Sequence, residues 1–153
     1  MSVELIDQVI GTNLRGPYIL ACEFARRLMA ENKAGAGKFG RIVNIASMAA
    51  YHYSGHGAAL YSITKAAVVR MTEALAVEWS GRSINVNGIA PGMFSSEMMD
   101  GMLERMGDLA AGTPRKRIAQ PAQMDSTLLY LVSRASEAVT GTVIKIDDGQ
   151  HER

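Results

Sequence analysis

The chain has 153 residues, 48% hydrophobic and 20% charged, the size and composition of one globular domain rather than of a disordered segment. Sixteen Lys and Arg against fifteen Asp and Glu leave a net charge of +1, so no one-sided field argues for nucleic acid or an anionic membrane surface. The single cysteine, Cys22, excludes an intrachain disulfide framework, no apolar run reaches the ~18 residues of a membrane span, and the first ten residues lack a signal peptide's basic start; a soluble, cytoplasmic chain is expected.

Residues 2–30 carry apolar side chains at helical spacing (Leu5, Val9, Leu14, Phe24 and Leu28 among them), interrupted by Gly11, Gly16 and Pro17, which predicts a helix bent near Asn13. After a loop over 32–40, residues 41–46 read as a short apolar strand of the kind buried on both faces of a parallel sheet. A Ser/Gly-rich loop (47–57) leads to a helix over 59–79, and residues 83–90 form a second strand stopped by Pro91-Gly92. A Met-rich helix is expected over 95–109, Pro121 opens a last helix to about residue 133, and 142–147 is the third strand before an Asp-Gly turn. Strands alternating with helices imply crossover units. The fold class is therefore α/β, a partial Rossmann-like doubly wound parallel sheet of about three strands with flanking helices, in one domain over 1–153. Nothing upstream in the chain could pair with the outer edge of the first strand, so the sequence reads as part of a larger sheet.

Two motifs invite a chemical reading. Gly35-Ala36-Gly37-Lys38-Phe39-Gly40 matches G-x-G-x-x-G, but phosphate binding by that motif needs a strand before it and a helix start after it. Here the order is reversed, and a turn is expected instead. Tyr61 and Lys65 lie four apart on the long helix and share a face. A phenol titrates near pH ~10, and a neighbouring ammonium favours the phenolate, so such a pair can exchange a proton with an alcohol or ketone oxygen. Alone, Tyr-x-x-x-Lys is a weak signal, most such pairs being solvated helix faces. Ser47 adds to it by ending a buried strand, where open α/β sheets place their ligands.

In order along the chain, Asn44-Ile45-Ala46-Ser47, Tyr61-Ser62-Ile63-Thr64-Lys65, Asn85-Val86-Asn87-Gly88-Ile89-Ala90-Pro91-Gly92 and Val139-Thr140-Gly141 ahead of Asp147-Asp148-Gly149 resemble the signature of the short-chain dehydrogenase/reductases. Asn13-Leu14-Arg15-Gly16-Pro17 is similar to the family's helix carrying its active-site Asn. The resemblance implies hydride transfer between NAD or NADP and a carbonyl or alcohol substrate. It makes Tyr61 the general acid or base, with Lys65 tuning it and holding the nicotinamide ribose. Ser47 would hold the substrate oxygen and Asn13 would anchor a relay water. Pro91, Gly92, Phe94 and Ser96 would line the nicotinamide side, with Ser96 where the family often has Thr.

The family's Gly-rich cofactor turn and its Asn-Asn-Ala-Gly strand do not occur, and counting from Asn13, roughly 95 residues of a domain of about 250 would precede this C-terminal, catalytic portion. The resemblance also implies a homo-oligomer, dimer or tetramer, built through the helices near 5–30 and 59–79. An alternative is a catalytically inactive short relative that acts as a binding or assembly module through those helices.

Several residues have plainer alternatives. Met93, Met98, Met99, Met102 and Met106 suit either a flap over an apolar substrate or ordinary gap-filling. His52 and His56 would line the substrate pocket or simply be exposed. A metal pair would need a helical loop, against which Gly55 and Gly57 argue, so no metal site is expected. Cys22 reads as packed, Arg115-Lys116-Arg117 as a solvated turn, and the departure of Asp148 from the family's Gly as minor.

Overall fold

The structure, a computed structural model, describes residues 1–53, 55 and 57–150. Helix α1, Val3–Ile10, starts at Ser2, whose hydroxyl accepts a hydrogen bond from the Leu5 amide at 3.2 Å. It runs into one π-helical turn, Gly11–Arg15, and continues as α2, Gly16–Lys33. Where a bend was expected, the helix changes its hydrogen-bond period. Pro17 has no N–H to give to Asn13 four residues back, and the Gly16 amide reaches back five residues to the Gly11 carbonyl. The G-x-G-x-x-G segment is a turn, as its context predicted. Gly35 and Gly37 take positive φ, and the Asn32 amide brackets Lys38, accepting from its N–H at 2.7 Å and donating to its carbonyl at 2.8 Å.

Three parallel strands follow: β1 (Gly40–Ile45), β2 (Ile84–Pro91) and β3 (Val143–Ile146), in the order β1-β2-β3. Gly40 to Ile45 pair with Ile84 to Ile89, and Gly88 to Pro91 pair with Val143 to Ile146. Helix α3, Ala59–Trp79, makes the first crossover. The second passes through α4 (Glu97–Met106) and α5 (Asp125–Val132). Both helices are shorter than the periodicity suggested, because local chemistry ends them. Ser96 caps α4 and Gly107, with φ 78°, closes it. Pro121 with a Gln120–Gln123 capping box makes a separate 3-10 turn, Pro121–Met124, before α5.

Alternation along β2 divides the interior. Val86 and Ala90 pack with Ala21, Ala25 and Leu28 of α2 and with Val68, Leu75, Ala76 and Trp79 of α3. Asn85, Asn87 and Ile89 point to the opposite face, where α5 lies against β1 and β2. The two asparagines hold the chain leading to β3: Asn85 Nδ2 donates to the Glu137 and Val139 carbonyls at 2.7 and 2.9 Å, and Asn87 Nδ2 to Val139 at 2.7 Å. These bonds satisfy buried amides that would otherwise be costly. The outer edge of β1 has no strand beside it among the described residues, as its sequence foretold. Among the described residues, no helix is long and apolar enough to cross a membrane.

Candidate active site

The first turns of α3 gather what comes from three other parts of the chain. After β1, Ser47 opens a single 3-10 turn, Met48–Ala50, and its Oγ accepts from the Ala49 amide at 3.1 Å. That turn is tied to α3 by Ser62, whose hydroxyl donates to the Ala49 carbonyl at 2.6 Å. From the π turn, Asn13 Nδ2 donates to Thr64 Oγ1 at 3.2 Å, and Thr64 Oγ1 donates to the Tyr61 carbonyl at 2.8 Å. Lys65 Nζ donates to the Ile45 carbonyl at 2.9 Å and lies 5.7 Å from the centre of the Tyr61 ring. Because the Ala46 amide bonds across to β2, the Ile45 carbonyl one residue earlier faces the open side of β1. Burial pushes the Lys65 pKa below the ordinary lysine value.

Of the expected catalytic residues, Tyr61 and Lys65 lie on the first turns of α3, Asn13 bonds to Thr64 there, and Ser47 opens the turn that Ser62 ties to α3. Sequence reasoning missed Thr64 and Ser62, the connectors. Thr64 is 2% exposed, and a buried Thr on the sheet-facing side of a helix was the available signal. A deeper connector anchors β1 itself: Asn44 Nδ2 donates to Thr72 Oγ1 at 2.9 Å, and Thr72 Oγ1 donates to the Val68 carbonyl at 2.8 Å.

The second cluster of expected residues sits at the end of β2. The Gly92 amide donates to the Ile146 carbonyl at 2.8 Å, and a Cβ on Gly92 would stand 2.9 Å from Asp147 Cα as well as striking Gln150, so only glycine fits. Gln150 Oε1 accepts from the Met93 amide at 2.8 Å. Phe94 is buried and bridges to Ala119. Ser96 is the N-cap of α4, its Oγ accepting from the Met99 amide at 3.2 Å. The methionines divide: Met99 is buried, Met98 and Met106 are exposed. Cys22 packs against the core as expected. The His52 amide donates to the Met48 carbonyl at 3.0 Å, while His56 lies outside the described residues.

The basic run is an exposed turn, as expected, and within it Arg115 and Arg117 both pair with Asp148.

A groove of about 710 Å³ runs between α2 and the open edge of β1. Asn13 and Lys65 line it together with Leu20, Phe24 and Ile42, whereas Ser47, Tyr61 and the Pro91–Ser96 segment do not. Its walls are mostly apolar and include β1 from Arg41 to Ile45, so the hollow lies along the edge of the sheet that no described strand covers.

Parallel strands joined by helical crossovers place this chain in the α/β class. The family profile described as enoyl-(acyl carrier protein) reductase matches residues 1–151. A 3-oxoacyl-(acyl-carrier-protein) reductase from Rickettsia bellii is 32% identical over 151 residues, covering 97% of this chain and 59% of that protein. Among solved structures, a short-chain type dehydrogenase/reductase from Mycobacterium marinum superposes with a TM-score of 0.90 at 30% identity, covering 100% of this chain and 59% of the other. A gluconate 5-dehydrogenase from Burkholderia cenocepacia, in complex with NADP and tartrate, gives a TM-score of 0.87 at 27% identity, covering 98% of this chain and 57% of the other. The chain belongs to the short-chain dehydrogenase/reductase family, and it spans somewhat more than half the length of these relatives.

Proposed function

We propose that this chain is the catalytic portion of an NAD- or NADP-dependent oxidoreductase that interconverts a carbonyl compound and its alcohol. The observation that carries this reading is the bonding at the head of α3: Asn13 through Thr64 to the Tyr61 carbonyl, and Lys65 to the Ile45 carbonyl. These bonds support the reading because they tie the Asn13 amide to the stretch of α3 that carries Tyr61 and Lys65, next to the turn opened by Ser47.

The residues suit a nicotinamide cofactor by their donor chemistry. An ammonium has three N–H donors, so Lys65 can give one to Ile45 and another to a ribose hydroxyl. Tyr61, Lys65, Pro91, Gly92, Phe94 and Ser96 are the residues we assign to holding it. When bound, the cofactor supplies or accepts the hydride. Tyr61 gives a proton to the carbonyl oxygen in reduction and takes it back in oxidation. Ser47 orients that oxygen by donating a hydrogen bond. Lys65 places positive charge 5.7 Å from the centre of the phenol ring, and Asn13 orients the proton's route to solvent. The work belongs to a reducing compartment such as the cytoplasm, where Cys22 stays a thiol.

A second reading rests on exposed apolar residues: Ile19, Ile63 and Val77 of α2 and α3 are 57%, 65% and 78% exposed. Such surface suits self-association into a dimer or tetramer, and in a protein without turnover it would make the chain an assembly module.

Two measurements separate these readings. In the full protein, Tyr61→Phe should lower the rate of reduced-nicotinamide consumption with a carbonyl panel by about 100- to 10,000-fold while leaving the fold intact by circular dichroism. Titration with NAD(H) and NADP(H) should show saturable binding of one pair. Full turnover in Tyr61→Phe would overturn the assigned chemistry, and absent binding of either cofactor with retained self-association would favour the module.

A further inference from the structure

We propose that Asp148 latches the excursion between the end of β2 and α5: through Arg115 and Arg117 it holds the returning arm against the C-terminal turn. The chain leaves β2 at Gly92, runs through α4 and comes back to touch its own start. The Ser95 amide donates to the Ala119 carbonyl at 2.8 Å and the Ala119 amide to the Met93 carbonyl at 3.1 Å, closing a neck. Gln150, by accepting from the Met93 amide, fixes the outgoing arm to the C-terminal turn. Asp148 does the same for the returning arm.

The contacts are specific. Arg117 Nε and Nη2 donate to the two Asp148 oxygens at 2.6 and 3.1 Å, and Arg115 Nη1 lies 3.1 Å from Oδ1. The arm that presents them is a preformed knot. Thr113 Oγ1 accepts from the Arg117 amide at 3.0 Å and donates to the Arg117 carbonyl at 3.2 Å, while Lys116 Nζ donates to the Ala111 carbonyl at 2.7 Å. Two guanidinium groups on one knot therefore converge on one carboxylate that is largely shielded, at 15% side-chain exposure. Isolated surface ion pairs contribute little, but a bidentate pair inside a small network is the exception. The hydrogen bonds from Arg117 also hold the Asp148 carboxyl below its ordinary pKa.

The backbone adds a second observation. Asp148 has φ 56°, a left-handed conformation that glycine adopts freely and other residues at a cost. Asp148 takes this conformation with its carboxylate bonded to the pair of arginines. The latch stands on contacts that do not involve the hydride-transfer reading, so its test needs no cofactor.

Amide hydrogen exchange of the ligand-free full protein checks it, on Asp148→Gly, Asp148→Asn and Arg115→Met/Arg117→Met. Glycine suits the turn, so Asp148→Gly removes the ion pairs without adding strain. Amides over 107–118 should exchange roughly 10-fold faster or more in Asp148→Gly, with those of β2 unchanged. Asp148→Asn should fall between, the arginine double variant should match Asp148→Gly, and combining the two should add nothing. Wild-type protection over 107–118 in Asp148→Gly, or an undiminished Asp148→Gly effect without the arginines, would overturn the latch. Should Asp148→Gly fail to fold, the arginine double variant decides the matter in the same way against wild type. Loss of cofactor binding would break the hydride-transfer reading and leave this result untouched.

Discussion

β1 and β2 are neighbours in one parallel sheet, in register over six residues, yet their surroundings differ. β2 has a hydrogen-bonded strand on each side and is buried from Ile84 to Ala90. β1 has a partner on one side, and Ile45 at its end is 51% exposed. Both segments are apolar, both carry buried asparagines and both end in a turn that holds expected site residues. The difference teaches that an apolar run prescribes a strand with covered faces and says nothing of its edges. On the open edge, Lys65 supplies one of the donors that a neighbouring strand would give, by bonding the Ile45 carbonyl.

The comparison can be broken most strongly in the core. Ile89 is 1% exposed, so Ile89→Ala should cost about 2–5 kcal/mol of unfolding free energy in urea titrations, whereas Ile45→Ala should cost under about 1 kcal/mol. Equal losses would show that the outer flank of β1 is covered in solution. A smaller effect sharpens how β1 is held on its covered face. Thr72→Val keeps the shape but leaves Asn44 Nδ2 without its acceptor, and about 1–3 kcal/mol should be lost in the same assay.

The smallest effect concerns the edge itself. Lys65 has a folded-state pKa below the unfolded lysine value near ~10.4. Its contribution to stability is therefore full above that unfolded value and is lost as pH falls through the lowered folded one. Relative to Lys65→Met, wild-type stability should rise with pH across that alkaline window. A flat difference would mean that Lys65 is as well solvated in the folded protein as in the unfolded chain.

The particular elements show what spacing alone could reach. Pro17 placed the interruption of the first helix near Asn13, and four-residue spacing placed Tyr61 and Lys65 on one face, because both are local consequences of helix geometry. The limits of α4 and α5 were less legible, since caps at Ser96, Gly107 and Gln120 override periodicity within one turn. Thr64 escaped notice because its partners, Asn13 and the Tyr61 carbonyl, come together only when α3 docks on the π turn. The pairing of Arg115 and Arg117 with Asp148 was not legible in the sequence, because 31 residues separate Arg117 from its carboxylate.

By itself, then, the amino-acid sequence determined the local features: strand and helix identities, the interruption of the first helix near Asn13, and the shared face of Tyr61 and Lys65. Hydrophobic period and proline chemistry act over a few residues and can be read there. Only the tertiary structure decided which polar groups meet, among them Asn13 with Thr64, Gln150 with Met93, and Asp148 with two arginines. Hydrogen bonds and ion pairs need ångström proximity, and residues far apart in the chain acquire it only once the sheet and its crossovers have packed.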